Sequence, residues 1–450
     1  MSGHLWHWPS AGVGCPLSDA ALVAGMLRFE VALARAQAAL GMIPPDAAEA
    51  IAQASADVAV DVEQLARAAA HAGSPAIPFV KALTDQVAAR VPAAGACVHL
   101  GATSQDVVDS ALVLCLKPAI AGIDQALERA EAAAIASTAR HAAAPVLART
   151  LMQPAGVVTI GFKTAQWARA LAHVRERLAA SSAQALCVSL GGATGALAAY
   201  EDAGETLRAA LARELGLRDP GAGWHSRREA LVGCAADAGV AGGTMRKIAH
   251  DLALMMQAEV GEAQEPGRAG RGGSTAMPHK RNPVLCLRVL ACTQPIPGMV
   301  AALMDGMAQE HERGLGSWQS ELGLYRDLYR NIHAAAAALA ELLDGVQFDA
   351  ERCRKNIDAT GGLIFSEPLA AHLAPALGRE AAHTLVAEWC AEAAASGRPL
   401  RELALQRLAE RGGPDAEQIG QAFDVDAAAA PAARQARAFA GRVVRPSRGR

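Results

Sequence analysis

Residues 266–283 read PGRAGRGGSTAMPHKRNP, and they hold the densest group of chemically useful side chains in the sequence. Ser274 and Lys280 stand at opposite ends of a short turn, after a run of glycines that leaves the backbone free to close over a ligand. Asn282 and Pro283 are typical of a helix start, with asparagine as the N-cap. A helix N-terminus that faced the loop would present free N–H groups to an anion. The stretch therefore predicts a site for an anion that gains charge during a reaction.

Composition alone also fits a less specific interpretation of this stretch. A glycine-rich segment is more often a flexible loop than a site, and Lys280 with Arg281 could be a solvated pair. A phosphate-binding P-loop is excluded, because no Gly-Lys-Ser/Thr sequence follows the glycines.

Apolar residues recur at helical spacing on both sides of this stretch. Short helices are predicted from about residue 18 to residue 92, and longer runs follow at 106–141 (interrupted at Pro118, where a kink is expected), 157–185, 226–262, 283–310 and 317–345. Strand signals are weak throughout. The pattern predicts an all-α chain with an N-terminal helical domain at 1–104, a bundle of long helices at 105–346 and a C-terminal helical domain at 347–450. The basic tail at 442–450 is expected to be disordered.

The composition excludes several classes of protein. The 450 residues carry a net charge of −3, and aromatic and basic residues do not interleave, so neither nucleic acid nor an anionic membrane is an expected partner. The nine cysteines are widely spaced and odd in number, which argues against a disulfide framework and against a zinc cluster. The N-terminal residues lack the pattern of a signal peptide, and glycines interrupt the uncharged stretch at 178–200. We expect a cytoplasmic protein.

Four segments resemble the fumarase/aspartase superfamily. Residues 273–283 match its signature GSSxMPxKxNP at every fixed position except Thr275, which replaces the second serine. HLGATSQD at 99–106 is similar to its first conserved region, RTLMQPAGVVTIG at 149–161 to its second, and QEHERGLG at 309–316 to a late segment. The resemblance extends over most of the chain. It implies a three-domain all-α fold whose tetramer has a core of about twenty helices.

The resemblance also implies roles for individual residues. Ser274 matches the loop serine that exchanges a proton α to a carboxylate, and Lys280 matches the lysine that stabilises the resulting dianion, with Asn282 beside it. Such a site must spread two negative charges over preorganised donors, and a serine needs support to act as a base. The substrate-contacting positions of the family fall on Thr103, Ser104, Thr150 and Gln153.

Four further candidates are supported by weaker arguments. His99 fits a structural hydrogen-bonding role better than an acid role. His225 and Arg228, in WHSRRE, fit either a substrate site or a solvated helix start. Arg313 fits either a bidentate contact to a substrate carboxylate or an ion pair with Glu310 or Glu312. No second histidine follows His311-Glu312 at the spacing of a zinc helix, so no metal is implied.

Leu151 narrows the chemistry. Most lyases of the superfamily have a histidine at this position of the second region, and it helps to protonate a leaving amine or water. Losing a general acid costs about 10²–10⁴ in rate when the leaving group needs a proton. A carboxylate, whose conjugate acid has a pKa of about 4, needs none. Leu151 therefore favours a reaction in which a carboxylate leaves or, in the other direction, attacks.

One branch of the superfamily runs such a reaction. The 3-carboxy-cis,cis-muconate cycloisomerases close a carboxylate onto a diene to give a carboxy-muconolactone in protocatechuate breakdown (the β-ketoadipate route). Their segments are similar to GATSQD, WHxxR, GExxEP, MPHKRNP and QEHERxLG here, and they too have an apolar residue at the position of Leu151. The resemblance implies an intramolecular lyase for a small polycarboxylate. It would need no cofactor and would act as a homotetramer with sites shared between three subunits.

Two other functions stay open from the sequence. One is adenylosuccinate lyase or another fumarate-releasing C–N lyase, against which Leu151 argues. The other is a non-catalytic structural homologue, against which the intact Ser274 and Lys280 argue.

Overall fold

The computed structural model of the chain describes residues 16–268, 270–410 and 416–443. It is 71% helical, with 17 α-helices in those ranges and little sheet. The all-α prediction is confirmed. Residues 444–450, which make up most of the basic tail predicted to be disordered, lie outside the described residues.

Short helices open the described chain. They are α1 Asp19–Ala39, α2 Pro45–Asp57, α3 Val62–Ala72 and α4 Ala76–Arg90, followed by a 3₁₀ helix at Pro92–Cys97. The Ser18 hydroxyl caps α1 by accepting from the Ala21 N–H, and Asp61 caps α3 in the same way. Because these capping residues can be recognised in the sequence, the helices of this region could be predicted from it.

The helices that follow are α5 Ser104–Arg140, α6 Ile160–Ala185, α7 Gly204–Leu215, α8 Glu229–Met255, α9 Val284–Thr293, α10 Ile296–Asp305 and α11 Ser317–Gly345, with a 3₁₀ helix at Ala198–Ala203, and α5, α6, α8 and α11 are the longest of them. Pro118 lies inside α5, which continues through it. The single helix predicted at 283–310 is wrong, because the chain forms α9 and α10 there. Pro295 has no N–H to donate, so it ends one helix and begins the next.

A β-hairpin that the sequence analysis missed precedes α6. Strands β1 (Pro145–Thr150) and β2 (Gln153–Thr159) pair antiparallel, with an irregular register between Ala148 and Arg149. The helix predicted from residue 157 therefore begins at Ile160 instead. A second pair is minimal, with β3 (Ala263–Gln264) against β4 (Gln347–Phe348).

The remaining helices are α12 Ala350–Asp358, α13 Ser366–Leu377, α14 Arg379–Ser396, α15 Leu400–Ala409, α16 Ala416–Ala422 and α17 Val425–Val443, with a 3₁₀ helix at Leu363–Phe365. A cluster of buried apolar residues that includes Leu369, Trp389, Leu400 and Ile419 forms the core of α13 to α16.

The chain divides into two compact units. Unit 1 comprises residues 1–127, 173–246 and 288–338, and unit 2 comprises 128–172, 247–287 and 339–450. The core of unit 1 includes Met26, Phe29, Phe79 and Val107. The three-domain division at 104/105 and 346/347 stays a prediction.

One described stretch, Val284–Asp305, is apolar and long enough to cross a membrane by length and composition alone. Only 33% of its most apolar window is buried within the chain. One such stretch is weak evidence of a membrane span, because a core helix of a soluble protein passes the same test.

Candidate active site

The predicted site residues fall in both units. His99, Thr103, Ser104, His225, Arg228 and Arg313 belong to unit 1, whereas Thr150, Gln153, Ser274, Lys280 and Asn282 belong to unit 2.

The loop that carries Ser274 is closed at its base by backbone contacts. The Asn282 N–H donates to the Gly272 carbonyl over 2.8 Å. Gly272 has a φ of +75°, and a Cβ at this position would lie 2.7 Å from the Asn282 carbonyl oxygen. Both the left-handed conformation and the close approach require glycine. The sequence GGSTAMPHKRN therefore folds as a pinned loop.

The Ser274 side chain lies at the start of the turn inside this loop. Its Oγ accepts from the backbone N–H of Ala276 (3.3 Å) and of Met277 (3.1 Å). Two donors aimed at one oxygen favour its alkoxide form and make the hydroxyl a better proton donor. Lys280 closes the turn through its N–H to the Met277 carbonyl (3.1 Å), and its side chain is exposed. The turn thus presents the Ser274 oxygen, which two backbone N–H groups contact, and the exposed ammonium group of Lys280.

The expected role of the α9 N-terminus is wrong. Its N–H groups do not face the loop as free donors, because the Glu265 carboxylate accepts from Leu285 N (3.0 Å) and Cys286 N (2.8 Å). A carboxylate at a helix N-terminus is a favourable cap. Glu265 belongs to the GExxEP segment. The sequence therefore contains the capping carboxylate, but it does not specify that this carboxylate caps α9.

A groove of about 990 Å³ flanks the same loop. Its lining includes Arg268, Arg271, Arg281 and Asn282, with Glu265 at one side. Arg271 is already paired with Glu341 at 2.5 Å. The groove is large enough for a small polycarboxylate, and of the predicted site residues Asn282 lines it.

Thr150 and Gln153 end the two strands of the hairpin and face each other across its turn. Leu151 and Met152 form the turn, with φ values of +50° and +66°, and their side chains are 97% and 69% exposed. Positive φ at both positions is the geometry of a type I′ turn, which normally selects Asn or Gly. The hairpin therefore presents two apolar side chains at its tip.

An ion pair with a buried carboxylate holds the hairpin close to its turn. Arg149 donates to both oxygens of Glu262 at 3.0 and 2.7 Å, and the Asn356 amide donates to Glu262 at 2.9 Å. Glu262 is fully buried. Nothing in the spacing of the sequence predicted this contact, which joins residues 113 positions apart.

In unit 1, Arg313 binds two of the predicted substrate contacts. Its guanidinium donates to the Thr103 hydroxyl (2.8 Å) and to the Ser104 hydroxyl (3.1 Å). Of the two roles considered for Arg313, the structure does not form the ion pair, and Glu310 instead accepts from the Leu315 N–H (2.9 Å). These three residues form one polar cluster at the N-terminus of α5.

The segment before that cluster is held by side chains from elsewhere in unit 1. His99 has a φ of +57°, and its Nδ1 lies 2.6 Å from the buried Glu30. The next carbonyl, that of Leu100, accepts from Gln37 (2.8 Å) and from Tyr200 (3.0 Å). Burial opposes the imidazolium, but the hydrogen bond and charge of Glu30 outweigh it, so the pKa of His99 is raised. The structure thus gives His99 a structural contact.

Asp106, which was not among the predicted site residues, holds the start of α5 against a glycine-rich turn. Fully buried, it accepts from the N–H groups of Thr103 (3.0 Å), Gly191 (2.8 Å) and Gly192 (2.9 Å). His225 lies 2.6 Å from it through Nε2, and the other ring nitrogen, Nδ1, is buried without a partner. At 3% exposure His225 has little surface to offer a substrate, so its contact here is with Asp106.

Arg228 is also buried away from solvent. Its side chain, 0% exposed, donates to both oxygens of Asp109 (2.8 and 3.1 Å) and to Glu321 (2.6 Å), and it lies over the Trp224 ring. Trp318 adds a hydrogen bond to Asp109 at 3.0 Å. Burial alone would lower the pKa of Arg228, but the two carboxylates outweigh it and raise the pKa. This geometry excludes the solvated helix start considered for Arg228 and gives its guanidinium two buried carboxylates as partners.

Metal ligation is not supported by the described part of the chain. Within residues 16–268, 270–410 and 416–443, no group of three or more His, Cys, Asp or Glu side chains could hold an ion.

Comparison with known proteins identifies the family. A family model described as "Lyase" matches residues 17–296, and one described as "Adenylosuccinate lyase C-terminus" matches residues 362–439. The first covers more than half of the chain. The chain belongs to the fumarase/aspartase superfamily of lyases.

Three relatives within this superfamily are informative. The chain is 42% identical to a 3-carboxy-cis,cis-muconate cycloisomerase of Pseudomonas aeruginosa, over 93% of this chain and 90% of the relative. It is 41% identical to a nitrosuccinate lyase of Streptomyces davaonensis, over 87% of this chain and 84% of that one. The crystal structure of the β-carboxy-cis,cis-muconate cycloisomerase of Acinetobacter calcoaceticus superposes with a TM-score of 0.87 at 34% identity, covering 94% of this chain and 96% of that chain.

Proposed function

We propose that the protein is a 3-carboxy-cis,cis-muconate cycloisomerase, an intramolecular lyase that converts its substrate to a carboxy-muconolactone. The observation that carries this proposal is the 42% identity, over nearly the whole chain, to an enzyme of that name. The polar turn of Ser274 and Lys280, and Leu151 in place of the usual acid, are what the chemistry of such an enzyme needs.

The reaction is an addition within one molecule. One substrate carboxylate attacks a diene carbon and forms the lactone C–O bond. The electron pair of the broken π bond moves onto the carbon α to a second carboxylate, and that carboxylate takes up the charge. Lys280 stabilises this dianion, and Ser274 delivers its hydroxyl proton to the α carbon. The N–H groups of Ala276 and Met277 then support the serine oxygen, which is deprotonated at that moment.

The hairpin tip fits this chemistry because Leu151 has no proton to give. In the reverse direction the leaving group is a carboxylate, and it departs without protonation. An amine-releasing lyase would lose about 10²–10⁴ in rate from the same residue. Thr150 and Gln153, on either side of the tip, are proposed to contact the substrate.

Arg313 is proposed to bind another substrate carboxylate. Its guanidinium rests on the hydroxyls of Thr103 and Ser104, which are neutral partners. A carboxylate is a stronger acceptor than a hydroxyl for a guanidinium. The substrate therefore competes well for Arg313 and leaves the two hydroxyls as further donors.

We infer that the protein works as a homotetramer with sites shared between subunits, in the cytoplasm. Val284–Asp305 is mostly unburied within one chain, although its composition is that of a core helix. Leu287 and Met304 on it, and Val240 and Leu254 on α8, are each at least 40% exposed. Apolar surface of this kind is buried in assemblies. Burial against other copies, in a core of about twenty helices, is the arrangement that the family resemblance implies.

The test is an ultraviolet assay with the purified protein. Addition of 3-carboxy-cis,cis-muconate should give loss of the diene absorbance at catalytic enzyme concentrations, whereas adenylosuccinate should not react. Nitrosuccinate is a second control, because a relative with that activity in its name is 41% identical. Turnover of either control in place of the muconate would overturn the proposal.

Ser274→Ala is the matched variant in the same assay. It removes the proton donor while leaving the fold intact, so activity should fall to background and the oligomer should elute unchanged on a sizing column. Retained turnover would remove Ser274 from the proton transfer.

A further inference from the structure

The loop that carries Arg313, residues 306–316, is tied to the buried Arg228 cluster by a single side chain. The Gln309 amide donates to the Gly306 carbonyl within the loop (2.7 Å) and to Glu321 outside it (3.1 Å). Glu321 is buried and is the same carboxylate that accepts from Arg228. Gln309 therefore connects the loop to a buried ion cluster, in addition to the contacts that Arg313 makes with Thr103 and Ser104.

These contacts form a closed ring. Arg313 donates to Thr103 and Ser104, and α5, which begins at Ser104, carries the Asp109 that accepts from Arg228. Arg228 donates to Glu321, Glu321 accepts from Gln309, and the loop returns to Arg313. In order, the members are Arg313, Ser104, Asp109, Arg228, Glu321 and Gln309, with the backbone of α5 linking Ser104 to Asp109 and the backbone of the loop linking Gln309 to Arg313.

Gln309 also contacts the residue next to Arg313. A Cβ at Gly314 would lie 2.0 Å from the Gln309 Oε1 atom, so the amide packs directly against the Gly314 backbone. That Oε1 atom is buried without a hydrogen-bond partner. A buried polar atom without a partner costs free energy, and its presence here shows that the position of the amide is set by its other contacts.

We propose that Gln309 is a positioning residue that holds Arg313 ready for a substrate carboxylate. The proposal rests on the proposed function, which gives Arg313 that carboxylate. An amide suits the position because it can donate to Glu321. A glutamate at position 309 would set two carboxylates about 3 Å apart at the Oε1–Nε2 contact seen here.

Gln309→Leu tests the role, because it keeps the size of the side chain and removes its donors. KM should rise about tenfold, with kcat unchanged to within about twofold, because binding is lost and the proton-transfer residues are untouched. Gln406→Leu is the matched control. Gln406 makes the same kind of amide contact, to Glu410, on an exposed helix face, and its loss should leave KM unchanged.

A double-mutant cycle separates positioning from general destabilisation. In an Arg313→Ala background, Gln309→Leu should have no further effect on kcat/KM, because the group that it positions is gone. Additive losses in the double variant, or an unchanged KM in the single variant, would overturn the proposal.

Hydrogen exchange gives a readout that needs no substrate. In Gln309→Leu, amides in 306–316 should exchange faster than in the wild type while those in the middle of α5 keep their protection. Unchanged exchange in the loop would refute the proposal even if the wild type turned over no muconate. Lack of wild-type turnover alone would refute the proposed function and leave this exchange result to decide the role of Gln309.

Discussion

Replacing Arg228 by methionine distinguishes two roles for this residue. If Arg228 bound substrate directly, as its segment suggests, the substitution would raise KM and leave stability almost unchanged. The structure instead buries the guanidinium between Asp109 and Glu321, both of which are also buried. We therefore expect Arg228→Met to lower the stability of the fold.

The expected magnitude follows from what remains after the substitution. Two buried carboxylates lose their cation and keep only Trp318 and neighbouring amides as donors. Removing one partner of a buried ion pair costs about 3–5 kcal/mol. Arg177→Met is the control, because Arg177 pairs with Asp237 at a half-exposed site, and such pairs are worth about 0–1 kcal/mol.

Thermal unfolding followed by circular dichroism measures the difference. Arg228→Met should lower the midpoint by at least about 5 °C, and Arg177→Met should lower it by less than about 2 °C. Burial already raises the pKa of Glu321, and loss of the Arg228 cation should raise it further, so the stability of Arg228→Met should partly recover as pH falls from 8 to 5. A variant with wild-type stability and a raised KM would contradict the structural role of Arg228 and would indicate that it binds the substrate directly.

Two further predictions concern the loops. Gly272→Ala places a Cβ 2.7 Å from the Asn282 carbonyl at a φ of +75°. The kcat should therefore fall at least about tenfold, whereas the midpoint of thermal unfolding should be nearly unchanged. A wild-type kcat would contradict this prediction. The pKa of His99 is raised above 6.5. Its pairing with Glu30 therefore stabilises the fold fully below that pH and is lost as pH rises through the folded-state pKa. The difference in unfolding free energy between the wild type and His99→Gln should therefore shrink as pH rises. A difference that grew as pH rose would contradict the pairing of His99 with Glu30.

The sequence predicted the helices well where local signals were strong. The run at 317–345 matches α11 residue for residue, and α5 begins within two residues of its prediction. Both have sustained apolar periodicity, which is a property of the segment itself. The split between α9 and α10 was missed although two prolines mark it, because the apolar composition on both sides favoured one helix.

The hairpin could not be read from the sequence for a specific reason. Its turn is Leu151-Met152, and neither residue is one that normally signals a two-residue turn. Both adopt positive φ, which is unfavourable for such side chains. Tertiary contacts beside the turn, above all that of Arg149 with Glu262, help to hold this unfavourable conformation.

The carboxylate partners of His225 and Arg228 could be predicted from the sequence only in part. The two residues are three apart, and so are Asp106 and Asp109, which they contact. Asp106 and Asp109 lie on α5, whereas His225 and Arg228 lie in the non-helical segment just before α8, and the equal spacing matches one pair to the other. The sequence does not specify that these two segments, 119 positions apart, lie together.

In the proposed reaction, Ser274 delivers a proton to carbon during carboxylate addition. Turnover of 3-carboxy-cis,cis-muconate in D₂O, followed by proton NMR of the product, tests it most directly. We predict a carboxy-muconolactone that carries a single deuterium at one stereochemical position α to a carboxylate, with no such product from Ser274→Ala. Unreacted muconate, or a lactone whose deuterium is scrambled over both positions, would contradict the account.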